Sequence, residues 1–321
     1  HAYAWQKAAA APLRVWHREM GFDVAQHVTF AKYWAPSCLA RTDIPYVFGP
    51  VGGAELTPPS LRGCLPAKGR AADWIKRVVS RAAERDPAVR HTVRGAALCL
   101  GSTPETVDRL ERMGAARAAC LTQIGIDAAH PAHAADRPGC RFVSVGRLLF
   151  WKGFHLGLEA FARFAPSDAE YWIVGDGPAR GFLERTVSRH KVLEQVRFFG
   201  ALSRRETDRR LAEADVLVHP SFHDSAGLVC LEAMARAKPV LCLAAGGPAS
   251  LVDDASGIAV KPRGRDETVR ALAEAMQSLA SDPARRRHMG KAAAERADRL
   301  FRWERKAERI ASEYRNIVKR R

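Results

Sequence analysis

Phe142-Val143-Ser144-Val145-Gly146-Arg147-Leu148-Leu149-Phe150-Trp151-Lys152-Gly153 runs from a short apolar stretch through a glycine and two cations into a helical pattern over residues 154–164. A compact apolar run closed by glycine reads as a buried strand, and the segment after it has helix length. The same unit recurs downstream. Tyr171-Trp172-Ile173-Val174, Val196-Arg197-Phe198-Phe199, Val216-Leu217-Val218 and Val240-Leu241-Cys242-Leu243 read as further strands. Helix-length stretches at 179–190, 206–214 and 227–237 separate them. Such alternation means a parallel sheet covered on both faces, an α/β fold. Gly146, Gly175, Gly200 and Pro220 follow strands, at the edge where open α/β sheets bind ligands.

Upstream the pattern is sparser. Residues 23–26, 46–48, 96–100 and 120–121 are expected strands, and 106–113 a helix. A stretch rich in Ala, His and Pro at 128–138 reads as a linker. Val269, Leu272, Met276 and Leu279 mark an amphipathic helix, and a basic one closes the chain. The expected organisation is a partial first domain at 1–130, a linker at 131–140, a second domain at 141–298 and a last helix at 299–321 that packs back on the first domain. A length of 321 residues suits two domains, and a hydrophobic fraction of 47% suits buried cores. The chain opens at His1 without an initiator Met or a signal-peptide pattern, and it reads as a fragment lacking about 80 residues of a usual first domain.

Seven singly placed cysteines form no C-x-x-C pair, which argues against a zinc site and for reduced thiols in the cytoplasm. No run of about 18 apolar residues could span a membrane. The net charge of +16 calls for an acidic partner. It concentrates at Lys68 to Arg94, at Arg285-Arg286-Arg287 and at Arg302 to Arg321. In the first, Trp74, Val78 and Ala82 recur at helical spacing beside Ile75 and Val79, with Lys76, Arg77, Arg81 and Arg85 mostly off that stripe. This pattern fits an anionic membrane surface on the inner face, or a solvated helix packed on its own domain. A nucleic-acid partner is not expected, because the aromatics do not interleave with the basic residues.

Four local motifs carry chemistry. Gly146-Arg147 ends a strand and Lys152-Gly153 opens a helix, so two cations converge where a diphosphate is easily held. Gly175-Asp176-Gly177-Pro178 is a tight turn that a ligand can approach closely. In the run from His219 to Ala235, Asp224 sits on a loop near a helix start at Gly227, where helix capping is its plain role. Leu228, Leu231 and Ala235 of that helix are expected to face the sheet, while Glu232 interrupts an apolar surface. Ala245-Gly246-Gly247-Pro248 follows the next strand, with backbone N–H groups suited to phosphate.

The order G-R-x4-K-G, G-x-G-P, V-x-F-x-G, P-S-x2-D-x7-E-A-M-A, P-V and G-G resembles glycosyltransferase family 4, retaining enzymes with the GT-B fold of two facing Rossmann-like domains. The likeness runs from Phe142 to about Val260. Upstream, Ile44 to Glu55, Ser102 to Thr106 and Gln123 to Asp127 resemble the first domain of that family. The resemblance implies that Arg147 and Lys152 hold the diphosphate of a UDP or GDP sugar, taking the place of a metal ion. Glu232 would hold the donor ribose, and Asp224 would contact the donor sugar. Gly146, Gly175, Asp176, Gly177, Pro178, Phe199 and Gly200 would line the donor pocket, joined by Gly227, Leu228 and Val229 and by Gly246 and Gly247 near the phosphates. His27 matches a family position facing the cleft, although a lone His after a strand also serves structurally. Gly52 and Gly53, with Glu55, would form a loop reaching toward donor or acceptor, or a simple turn. No metal and no cofactor beyond the donor substrate are expected. The acceptor is expected to be a glycan or a lipid-linked hydroxyl.

Two departures from the family pattern stand out. Asp224 replaces a glutamate, one methylene shorter, and the early glycine-rich loop has no counterpart. Other readings on the same fold are a nucleotide-sugar epimerase, a sugar phosphorylase, and a homologue that binds donor with weak or no turnover.

Overall fold

The computed structural model describes residues 2–132, 138–164 and 168–320; part of the expected linker, 133–137, lies outside them. Two compact units emerge. One comprises His1–Leu56, Ala71–Ile124 and Lys306–Arg321; the other comprises Thr57–Arg70 and Gly125–Arg305. The final segment thus groups with the first unit. Residues 57–70 group with the second because Leu61 and Leu65 are buried in its core beside Phe142, Leu148 and Phe154.

The first unit carries a four-stranded parallel sheet in the order β1 (Ala25–His27), β2 (Tyr46–Val51), β3 (Leu98–Gly101), β4 (Ala118–Cys120). Helix α1 (Ala2–Met20) precedes it, a segment for which the sequence patterns gave no expectation. Helices α2 (Ala67–Ala83, of which 71–83 belong to this unit), α3 (Pro87–Gly95) and α4 (Pro104–Arg112) lie between β2 and β4. The basic stretch read as one helical region is two helices, broken at Asp86, which accepts from the Ala88 N–H and precedes Pro87 at the start of α3. Thr103 likewise accepts a hydrogen bond from the Thr106 N–H and sets the start of α4 before Pro104, two residues ahead of the sequence expectation.

The second unit carries six parallel strands: β5 (Arg141–Val145), β6 (Glu170–Val174), β7 (Val196–Gly200), β8 (Val216–His219), β9 (Val240–Leu243) and β10 (Gly257–Val260). Their order across the sheet is β10-β9-β8-β5-β6-β7. The first strand of the unit therefore lies in the middle, with β6 and β7 on one side and β8, β9 and β10 on the other. Strand order reverses between β5 and β8, which pair in register through Phe142 with Val216 and Val143 with Leu217. Helices α5 (Phe154–Phe164), α6 (Arg180–His190), α7 (Arg204–Glu213), α8 (Leu228–Ala235) and the short α9 (Gly246–Leu251) follow successive strands. Helices α10 (Arg265–Ser281), α11 (Pro283–Phe301) and α12 (Trp303–Lys319) complete the chain. Strands β5, β6, β8 and β9 are buried almost throughout, as expected of a sheet covered on both faces.

One side-chain orientation differs from the sequence reading, and another departs from one of the two alternatives given for the basic helix. Leu231 and Ala235 are buried as expected, but Leu228 is exposed, because it is the first residue of α8 and lies beyond the sheet edge. In α2 the apolar stripe does not pack on its own domain: Trp74, Ile75, Val78 and Val79 are all exposed. All seven cysteines are free thiols, and among the described residues no helix is long and apolar enough to cross a membrane.

Candidate functional site

Because all six strands of the second unit run parallel, the loops that leave β5, β6, β8 and β9 emerge at one edge of the sheet. They flank the place where strand order reverses, the location at which open α/β sheets form ligand crevices. Backbone hydrogen bonds knit these loops together. The Leu148 N–H donates to the Asp176 carbonyl at 2.9 Å, and the Ala179 N–H returns to the Leu148 carbonyl at 2.9 Å. The Phe222 N–H reaches the Trp151 carbonyl at 2.8 Å, and the Gly247 N–H reaches the Asp224 carbonyl at 2.7 Å.

Glycine is required at several of these junctions. Gly153 has φ 68°, and a Cβ there would stand 2.0 Å from the Pro220 carbonyl oxygen. A Cβ on Gly175 would stand 2.0 Å from the Gly146 carbonyl oxygen, and one on Gly247 would be 2.7 Å from the Ser225 carbonyl. These glycines let one loop lie against the next, a packing reason for their presence that needs no ligand. Pro178 stands in the turn before α6, which begins at Arg180.

Lys152, at the end of a single 3-10 turn (Phe150–Lys152), donates from Nζ to Asp224 Oδ2 at 2.5 Å. The buried His219, last residue of β8, lies with Nε2 3.2 Å from the same oxygen. An ionised carboxylate only accepts, so Nε2 carries the ring proton and Nδ1 holds a lone pair. That Nδ1 is buried and has no hydrogen-bond partner. Burial lowers the His219 pKa, against the opposing pull of Asp224. Burial alone would raise the Asp224 pKa, but the His219 hydrogen bond and the Lys152 charge together hold it well below the usual carboxylate range. Asp224 Oδ1 also accepts from the N–H groups of Ala226 at 3.4 Å and Gly227 at 3.3 Å, just before α8 begins. The capping role and the cation contact thus belong to one carboxylate.

Glu232, on the buried side of α8, accepts from Arg204 Nη1 at 2.5 Å. Arg204 sits at the start of α7, behind a capping box formed by Ser203 and Glu206, and also pairs with Asp208. Arg236 pairs with Asp208 at 3.0 Å and closes this network. Glu232 lies on α8, which also carries the buried Cys230 thiol. Burial raises that thiol's pKa well above its ordinary value. Arg147 is exposed and has no ion-pair partner among the described residues. The Trp151 ring stacks on His223 with centroids 4.6 Å apart and lies 4.7 Å from Lys152 Nζ. Phe199 is engaged with Trp172 at 5.2 Å and lies under the Arg210 guanidinium at 4.3 Å.

The expected residues of the first unit lie at the end of β1 and just after β2. His27 ends β1, is buried against Phe48, and has an Nε2 atom without a partner. Burial lowers its pKa against a hydrogen bond with the Thr29 backbone. Gly52 and Gly53 follow β2 in a turn. A Cβ on Gly53 would stand 2.5 Å from the Trp34 ring. Glu55 points inward rather than out: its carboxylate accepts from the Gly53 N–H at 2.8 Å, Thr103 Oγ1 at 2.7 Å and Thr106 Oγ1 at 2.9 Å. It fastens the turn to the start of α4.

Four side chains of the site are not evident from the sequence. His219 stood inside the quoted run without a role; its signal is a histidine at a strand end five residues before an acid. Arg204 left no signal, since an arginine at a helix start is ordinary. The Trp151–His223 stack joins two loops that are far apart in sequence.

The pattern of the family described as Glycosyl transferases group 1 matches residues 126–296. Glycogen synthase of Mycobacterium tuberculosis is 31% identical over 254 residues, covering 77% of this chain and 60% of that protein. The alpha-D-kanosaminyltransferase of Streptomyces kanamyceticus is 28% identical over 247 residues, covering 72% and 63%. The chain thus spans about 60% of the length of these relatives. Anabaena HepE in complex with UDP superposes with a TM-score of 0.70 at 18% identity, covering 95% of this chain and 82% of that one. The sucrose-phosphate synthase of Thermosynechococcus elongatus gives 0.68 at 21%, covering 99% and 79%. The likeness shows a GT-B fold.

Proposed function

The chain belongs to the glycosyl transferases group 1, and from that premise we propose that it takes part in retaining, metal-independent transfer of a sugar from a nucleoside-diphosphate sugar to a hydroxyl acceptor, in the manner of family 4. The observation that carries this reading is the Lys152–Asp224–His219 cluster, which joins the loops of β5 and β8 where strand order reverses. The named relatives are sugar transferases, and the HepE structure holds UDP.

In this mechanism Arg147 and Lys152 hold the donor diphosphate and stabilise the charge that grows as it departs. The acceptor oxygen bonds to the anomeric carbon on the face from which the phosphate leaves. The C–O bond to the phosphate breaks with its electron pair staying on the phosphate oxygen, which takes the acceptor's proton. No protein nucleophile is needed. Asp224 orients Lys152 and contacts the donor sugar, while Glu232, steadied by Arg204, binds the ribose. The glycines of the loops admit the nucleotide close to the backbone. The acceptor class we assign is a lipid-linked or cell-envelope glycan, with the enzyme acting on the cytoplasmic face.

The test is nucleotide release from a panel of UDP and GDP sugars, with and without an acceptor preparation, for the unaltered chain, Arg147→Ala and Lys152→Ala. Acceptor-dependent release that falls by orders of magnitude in both variants is expected. Equal release in all three would remove the diphosphate assignment, and isomerisation of the donor without acceptor would point to an epimerase. One observation favours a second reading, donor binding without turnover: Lys152 is already held by Asp224. Calorimetry with UDP and GDP beside the release assay separates the two, since binding without release supports the second.

A further inference from the structure

Helix α2 is packed inside out. Its inward positions are Asp73, Lys76, Arg77 and Ser80, spaced three and four residues apart, and all are polar. They are satisfied within the first unit: Arg77 Nε donates to Asp73 Oδ2 at 2.7 Å, Lys76 Nζ to the Glu55 carbonyl at 2.7 Å, and Ser80 Oγ to the Lys76 carbonyl at 2.7 Å. The opposite side presents Ala71, Ala72, Trp74, Ile75, Val78, Val79 and Ala82. Trp74 is 64% exposed, Ile75 54%, Val78 46% and Val79 51%. A surface helix ordinarily buries such a stripe and wets the charged one. Here hydrogen bonds hold the polar face in place and leave four large apolar side chains as one continuous ribbon in water.

The charges around this ribbon have one sign. Arg81 and Arg85 are exposed along the same segment of the first unit. The acids within it are turned away, Asp73 onto Arg77 and Glu84 onto the Tyr33 hydroxyl at 2.6 Å. An apolar ribbon accompanied by exposed cations on the same segment matches the boundary of an anionic bilayer, where acyl chains lie beneath negative headgroups. We propose that α2 is a membrane-docking surface, which seats Trp74, Ile75, Val78 and Val79 among the acyl chains of an anionic lipid surface while Arg81 and Arg85 meet the headgroups. This assignment rests on α2 alone and stands apart from the sugar-transfer reading.

The experiment is sedimentation of the full chain with phosphatidylcholine vesicles, with and without phosphatidylglycerol. Four chains are compared: unaltered, Ile75→Ser with Val79→Ser, Arg81→Glu with Arg85→Glu, and Trp74→Phe. The substituted side chains are exposed, so the fold persists, and matching thermal melts verify it. The unaltered chain is expected to pellet with anionic vesicles only, less so as salt rises. Loss of each basic side chain should weaken binding about fivefold. The apolar pair of substitutions should weaken it at least about tenfold. Brominated lipids should quench fluorescence of the unaltered chain, with most of that quenching lost in Trp74→Phe. The proposal is overturned by a chain that stays in the supernatant with both vesicles, which leaves a protein as the occupant of this face. Pelleting equally with neutral vesicles, or binding that the α2 substitutions do not change, also overturns it.

Discussion

Replacing Lys152 by alanine tests the centre of the site without any ligand. Its Nζ stands 2.5 Å from Asp224 Oδ2, with 15% of the lysine side chain and 18% of the aspartate side chain exposed. At that separation and an effective dielectric constant near 20, the attraction is about 7 kcal/mol. Most of it is offset by the cost of taking both charges out of water. Removing one partner from a fully buried pair costs about 3–5 kcal/mol. Here the residual exposure, the His219 N–H and two backbone N–H groups lessen the loss, so about 2–3 kcal/mol is expected. For a unit of this size that lowers Tm by roughly 4–12 °C. Calorimetry on Lys152→Ala, Asp224→Asn and the double variant measures the coupling. The double variant should lose less than the sum of the singles, because no charge is left stranded. The pH dependence has a definite sign. The folded-state pKa of Asp224 is depressed, so the stabilisation is complete above its unfolded value of about 3.9 and fades as pH falls below it. The gap between unaltered and Lys152→Ala chains should be full at neutral pH and narrow under acid. Additive single costs, or a Tm change within about 1 °C, would refute the argument that this pair joins the two loops.

Other outcomes follow from the same geometry. Arg147→Ala, at an exposed position without an ion pair, should change stability by no more than about 0.5 kcal/mol yet lower donor turnover about a hundredfold or more; urea melts and nucleotide release read the two effects separately. Glu232→Gln should weaken UDP or GDP binding about tenfold, and unchanged calorimetric affinity would remove its ribose role. Gly153→Ala places a Cβ 2.0 Å from the Pro220 carbonyl oxygen and should cost about 3 kcal/mol or more; a urea midpoint matching the unaltered chain would show that the loops can part.

Five strands of the second unit are legible because each is a short apolar run between turn residues, and β5, β6, β7, β8 and β9 lie within a residue of the expected positions. Strand β10 escaped notice: Gly257-Ile258-Ala259-Val260 is small and weakly patterned, and it pairs only at the sheet edge with β9. Helix α2 shows the limit of periodicity. Its apolar stripe is evident in the sequence, but a stripe does not say whether a protein core or the solvent lies opposite it. Glu232 is legible as a charge on an apolar helix; its partner Arg204 is not, because an ion pair between two helices leaves no trace in local spacing.

From the order of residues alone came the alternation of strands and helices, the parallel sheet it requires, and the glycines and cations at the strand ends, all consequences of local propensity and of apolar spacing along one chain. Which strands are neighbours was decided by the fold. Only when β8 lies beside β5 does Asp224 meet Lys152, and only then does His219 share that oxygen. Contacts between residues 72 positions apart arise from packing the whole sheet, and no local pattern encodes them.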